Sequence, residues 1–127
     1  MAETNAELAR RAFEGVLRGD LDLVKELLDR DVKWHGGDPE AAGACRNRRQ
    51  ALAFIDRARG RVKDVELLDV VGAGDKVVVI MRARAADGEA TWTAANLSTF
   101  RDGKVVEIVH YPDSDDALAA AGASARH

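Results

Sequence analysis

The 127-residue sequence predicts an α+β fold, and three observations carry that prediction. Apolar residues recur at helical spacing in three segments of the first 59 positions, and four strand-type runs then occupy residues 62 to 111. The runs are separated by tight-turn dipeptides, of which Asp87-Gly88 and Asp102-Gly103 are the clearest hairpin signals. Helices first and an antiparallel meander afterwards is the segregated pattern of the α+β class.

The first helix is predicted over about residues 4–18, with Leu8, Ala12, Phe13, Val16 and Leu17 on one stripe. Thr4 followed by Glu7 makes a capping box, in which each side chain meets a free amide of the first turn. Gly19 stops this helix and Asp20 caps a short second one, with Leu21, Val24, Leu27 and Leu28 as its buried stripe. Asp31 to His35 alternates as a short strand that ends at Gly36-Gly37, and a loop containing Asp38-Pro39 follows. The third helix runs over about 47–59, with Asn47 as cap, Gly60 as terminator, and Ala51, Leu52, Phe54, Ile55 and Ala58 apolar.

Strands are then expected at 62–71, 76–85, about 90–101 and 104–111. The run Val77 to Met81 is too continuous for an exposed edge. Ala117 to Ala121 forms a short terminal helix, and the tail from Gly122 to His127 frays. No repeat, low-complexity tract or linker interrupts the chain, so residues 1–127 read as one domain with its core at about 4–120.

Composition narrows the function. Apolar residues at 46% and charged ones at 32% suit one water-soluble core. The net charge of −3 argues against nucleic acid, since phosphate binding needs concentrated positive charge. The arginines at 46, 48 and 49, and again at 57, 59 and 61, read as solvated helix surface. Cys45 stands alone, which rules out an intrachain disulfide and a cysteine-built zinc site; it reads as a small, semi-buried loop residue. His35, His110 and His127 lie on separate elements, so no metal site is expected, and no cofactor either. Met1 to Asn5 shows neither the basic nor the apolar region of a signal peptide, and no apolar run has membrane-spanning length. A cytoplasmic protein is expected.

Four stretches carry a family resemblance: Gly19-Asp20-Leu21-Asp22-Leu23-Val24-Lys25-Glu26-Leu27-Leu28, then Asp31-Val32-Lys33-Trp34, then Phe100-Arg101-Asp102-Gly103-Lys104-Val105, then Tyr111-Pro112-Asp113. In order and separation they resemble the SnoaL-like branch of the nuclear transport factor 2-like superfamily, which also holds ketosteroid isomerases, limonene-epoxide hydrolases and scytalone dehydratases. The resemblance spans about residues 4 to 120. It implies a cone-shaped α+β barrel, with three N-terminal helices packed in a strongly curved, mixed but mostly antiparallel sheet, and a short C-terminal helix. It also implies a homodimer formed through the outer face of the sheet.

The superfamily's catalytic sets map unevenly onto this chain. Where ketosteroid isomerases carry a general-base Asp after the first strand, this sequence has His35-Gly36-Gly37, with Asp38 displaced, and their first-helix Tyr is Phe13 here. The late-strand Asp of the epoxide hydrolases corresponds to His110, and Arg82 or Arg84 stands nearest to their Arg. SnoaL-like cyclases place a base on the same late strand, which points at His110 and Asp113.

Strand alternation selects the side chains that face the cone. Val106, Ile108 and His110 share one face of the last strand; Trp92, Ala94, Asn96, Ser98 and Phe100 share one face of the strand before it. The set with Trp92 and Phe100 has the bulk to meet helices, whereas the opposite Thr/Ala/Leu set suits packing against another sheet. Trp92, Asn96, Ser98 and His110 are therefore expected to point inward together, with Trp34 entering from the first strand.

Two functions fit. In the first, a cofactor-independent isomerase, cyclase, hydratase or hydrolase acts on a small, apolar, carbonyl-bearing molecule, with His110 as acid/base, Asn96 and Asp113 assisting, and Trp34, Trp92, Ser98 and Phe13 against the ligand. In the second, the same cone binds a ligand or supports dimerisation without chemistry. His35, beside Gly36, reads as a loop or mouth residue, and Asp113 also suits the cap of the terminal helix.

Overall fold

The computed structural model describes residues 4–60 and 62–122. Its elements are α1 (Asn5–Leu17), α2 (Asp22–Leu27), β1 (Leu28–His35), α3 (Arg48–Arg59), β2 (Val62–Ala73), β3 (Lys76–Ala85), β4 (Thr91–Arg101), β5 (Lys104–Tyr111) and α4 (Ser114–Ala120). The fraying expected of the tail lies, beyond Gly122, outside the described residues, as does His127.

Local chemistry accounts for most boundaries. The capping box of α1 is complete: Thr4 N–H donates to Glu7 Oε1 at 2.8 Å and Glu7 N–H donates to Thr4 Oγ1 at 3.1 Å. Asn47 Oδ1 accepts from Gln50 N–H at 2.9 Å at the start of α3. In the Asp102-Gly103 turn both residues adopt positive φ, 52° and 79°. That is the backbone of a two-residue hairpin whose twist matches its strands.

The sheet has order β1-β5-β4-β3-β2. Four strands form the antiparallel meander, and β1 joins it in parallel against β5, with Trp34 beside Ile108 and His35 beside Val109. Irregularities between Val62 and Val65, Leu67 and Asp69, and Thr99 and Phe100 bend the long strands. The result is a curved sheet with helices against its concave face.

Three expectations change. Leu28 belongs to β1 rather than to the stripe of α2: its backbone is extended, its side chain is buried, and it pairs with Val105. Asp20 does not occupy the N-cap of α2. Leu21 does, and the Asp20 carboxylate accepts from Asp22 N–H at 3.0 Å as a turn. Finally, α4 starts at Ser114, because the Asp113 side chain nucleates the turn by accepting from Asp115 N–H.

Two apolar clusters lie on opposite faces of the sheet. The larger one joins Ala9 and Ala12 of α1, Leu27, Leu28, Val32, Ala51, Val77, Val79, Phe100, Val105 and Ile108. The smaller joins Ala117 and Leu118 of α4 to Val71, Val78, Ala95 and Leu97. Val77 and Val78 are therefore neighbours in sequence, fully buried, and facing opposite sides. This explains the unbroken apolar run: β3 is covered on both faces at that point. It also means that α4, from the same chain, covers part of the Thr/Ala/Leu face on which a second sheet was expected.

Candidate functional site

Between the helices and the concave face lies a cavity of about 770 Å³. That is within the size range of small-molecule sites, roughly 300–1,000 Å³. Its walls are mainly apolar, with Phe13 and Val16 from α1, Trp34 from β1, Phe54 from α3 and Met81 from β3. Trp34 meets Phe54 edge-on, with ring centroids 5.0 Å apart and planes at 73°, a favourable aromatic geometry that fixes the inner wall. Trp92 lines the other end and is 41% exposed, as is Leu17 at 43%; together they mark the mouth.

Asn96, Ser98 and His110 bring polar groups to this apolar space. Alternation along β4 and β5 puts them on the concave face, and the antiparallel register sets Asn96 opposite His110 and Ser98 opposite Ile108. The bulge at Thr99/Phe100 alters one prediction: Phe100 pairs with Val105, so Val105 rather than Val106 faces the cavity. One extra residue on β5 reverses the alternation before Glu107, while Ile108 and His110 beyond it keep their inward face.

The Asn96 carbonyl oxygen stands 3.4 Å from Nδ1 of His110. In this orientation Nδ1 carries the proton and donates it, which leaves the Nε2 lone pair as the basic site of the ring. Burial lowers the His110 pKa from its ordinary value, because water is removed from the charged form. The imidazole is thus neutral at neutral pH and able to accept a proton.

Six residues singled out in the sequence meet at this cavity: Phe13, Trp34, Trp92, Asn96, Ser98 and His110. Asp113 does not join them. It is exposed beyond the end of β5, where its carboxylate accepts from Asp115 N–H at 2.8 Å and caps α4. Arg82 and Arg84 are also elsewhere, since they alternate with Met81 and Ala83, which line the cavity. Arg82 pairs with Glu66, and Arg84 Nε lies 3.7 Å from Asp64.

His35 is neither in the loop nor at the mouth. It is a buried strand residue on the face opposite Trp34. Gly37 N–H donates to its Nδ1 at 3.0 Å, so Nε2 carries the proton and donates to Glu107 at 2.9 Å. Cys45 is buried, its backbone pairs with Trp34, and burial pushes its thiol pKa up despite the influence of Arg57. Such a thiol is a poor nucleophile.

Sequence reasoning missed Arg59, which lines the cavity rather than standing wholly in solvent. The available signal was its position one helical turn after the buried Ile55, on the same face of α3.

The sequence profile of the SnoaL-like domain matches residues 9–108 of the chain. The protein belongs to the SnoaL-like family. Among solved structures it is similar to Bal32a from a soil-derived mobile gene cassette, at 28% identity and a TM-score of 0.71, over 84% of this chain and 87% of that one. It is similar in fold to a putative SnoaL-like polyketide cyclase from Jannaschia sp. CCS1, at 20% identity and a TM-score of 0.71, over 98% and 99% of the two chains. A nuclear transport factor 2-like protein of unknown function from Burkholderia pseudomallei K96243 gives 23% identity and a TM-score of 0.69, over 92% and 97%. No curated protein matches the chain. Within this SnoaL-like protein no described helix is long and apolar enough to cross a membrane.

Proposed function

We propose that this SnoaL-like protein binds a small apolar, carbonyl-bearing molecule in its cavity and performs cofactor-independent acid/base chemistry on it. The observation that carries the reading is the neutral His110, hydrogen-bonded to Asn96 inside a largely apolar space. A proton on the carbon next to the carbonyl passes to Nε2 of His110, and its electron pair moves into the carbonyl, giving an enolate. The Asn96 amide, whose oxygen faces the ring, keeps its N–H groups for the developing oxyanion. Returning the proton to another atom completes an isomerisation; attack of the enolate carbon on a second carbonyl in the same molecule, with the new alkoxide taking the proton back from His110, completes a cyclisation.

One observation favours a non-catalytic reading of the same cavity. Asp113 is committed to capping α4, so it gives His110 no carboxylate to hold an imidazolium.

One experiment separates the two. A panel of small apolar ketones, epoxides and acids is screened by native mass spectrometry, and bound ketones are followed in D2O for deuterium uptake next to the carbonyl. Catalysis predicts that His110→Gln slows exchange by roughly 10²–10⁴-fold with affinity nearly unchanged. Equal exchange in wild type and variant leaves the binding reading alone standing.

We further propose a cytoplasmic homodimer that associates through the outer sheet face, with α4 within the contact. The exposed Leu68 of β2 supports this reading. Sedimentation equilibrium at micromolar concentration tests it, and a monomer would count against it.

A further inference from the structure

We infer that Arg59 anchors a carboxylate at the cavity mouth, so that the ligand is an apolar keto acid with its carbonyl inside and its acid group outside. The inference rests on the cavity being a ligand site and adds the charge of that ligand.

Arg59 closes α3 and lines the cavity, as the exposed Leu17 does. Its guanidinium lies over the turn after α1, where a Cβ built on Gly19 would come within 2.9 Å of it. Gly19, at φ 83°, both makes that turn and leaves room for the guanidinium. The Arg59 side chain is 43% exposed, and its nearest carboxylate, Asp56 at 3.8 Å, is itself 73% exposed. Exposed pairs of this kind hold weakly.

The other charges edging the cavity are already matched. Asp64 and Glu66 pair with Arg84 and Arg82, and Glu66, as the cross-strand partner of Arg82, shares its face away from the cavity. Among the described residues, Arg59 is the one arginine or lysine that lines the cavity, and its pair with Asp56 is an exposed one within a single helix turn. On the sheet wall of the cavity His110, Asn96 and Ser98 offer only neutral hydrogen-bonding groups. A molecule that complements the space is therefore apolar along its body, uncharged where it meets His110, and anionic where it meets Arg59. A guanidinium suits a carboxylate because two N–H groups can donate to its two oxygens together.

The test compares 6-acetyl-2-naphthoate with its methyl ester by titration calorimetry. Both carry the inner ketone, and only the first carries the anion. Wild type is expected to bind the acid about tenfold more tightly than the ester, a charge-assisted bond discounted for its half-exposed site. Arg59→Gln should erase that preference and leave the ester affinity in place, while Arg59→Lys should keep part of it. Circular dichroism confirms that each variant is folded. Ester and acid binding equally to wild type, or both weakening equally in Arg59→Gln, overturns the anchor while the cavity reading survives. Binding of neither probe overturns the anchor and counts against the cavity reading too.

Discussion

Asn96 and His110 face each other directly across β4 and β5, and their side chains meet at 3.4 Å on the cavity side of the sheet. Because the contact is a cross-strand pair, the register of one hairpin sets it. Asn96 orients the ring and determines which nitrogen is basic. Replacing it with Ala frees the imidazole to turn and to exchange tautomers. The expected result is a drop in turnover of about tenfold or more, smaller than for His110→Gln, with little change in ligand affinity. Parallel measurement of kcat and KM on any substrate found in the panel checks it. A fall confined to affinity would assign Asn96 to binding instead.

The titration of His110 has a definite direction. Its folded-state pKa lies below the ordinary value of 6.5 because burial penalises the charged ring. Between the folded and unfolded values the unfolded chain binds more protons. Its contribution to stability is therefore fully present above about pH 6.5 and is lost as pH falls through the folded-state value. Proton NMR should give a His110 midpoint below that of a free histidine, and His110→Gln should flatten the matching part of the pH–Tm curve. Turnover that uses the neutral ring should fall over the same window. A midpoint at or above the ordinary value would contradict the structure.

Asp113 supplies a contrast. Its side chain caps α4 and is exposed, so Asp113→Ala should cost about 1 kcal/mol of stability. That corresponds to a lower Tm by roughly 4 °C for a domain of this size. Exchange or turnover at saturating ligand should be unchanged. Loss of activity without loss of Tm would place Asp113 in the chemistry after all.

Cys45 should react slowly. Its side chain is buried and burial raises its thiol pKa, so the thiolate is both scarce and inaccessible. Labelling with Ellman's reagent at pH 8 is expected to be slow in the native protein and to go to one thiol rapidly in guanidinium chloride. Rapid native labelling would show that the Trp34–Cys45 bridge opens readily.

The order of helices and strands was legible, and only the junction of α2 with β1 and the start of α4 moved, because most of the signals act over a few residues. Thr4 with Glu7, Asn47, and the Asp102-Gly103 turn appear in the structure as the caps and hairpin that their chemistry calls for. Alternation also grouped Trp92, Asn96, Ser98 and His110 on one face, and the cavity has all four. It failed at Val106, where one bulged residue on β5 reversed the order. Periodicity carries no mark of a bulge that forms to fit a partner strand.

What the sequence determined by itself was the order of elements, the hairpins and the face that His110 occupies, since each follows from local backbone preference and period-two alternation. The tertiary structure decided what those residues meet. The pairing of His35 with Glu107 joins positions 72 apart through a parallel register that no local turn specifies. Asp113 left the site because the first turn of α4 claimed its carboxylate, and Arg59 entered because α3 packs with the face of Ile55 turned inward. Such contacts depend on how whole elements pack, and packing is a property of surfaces distant in sequence.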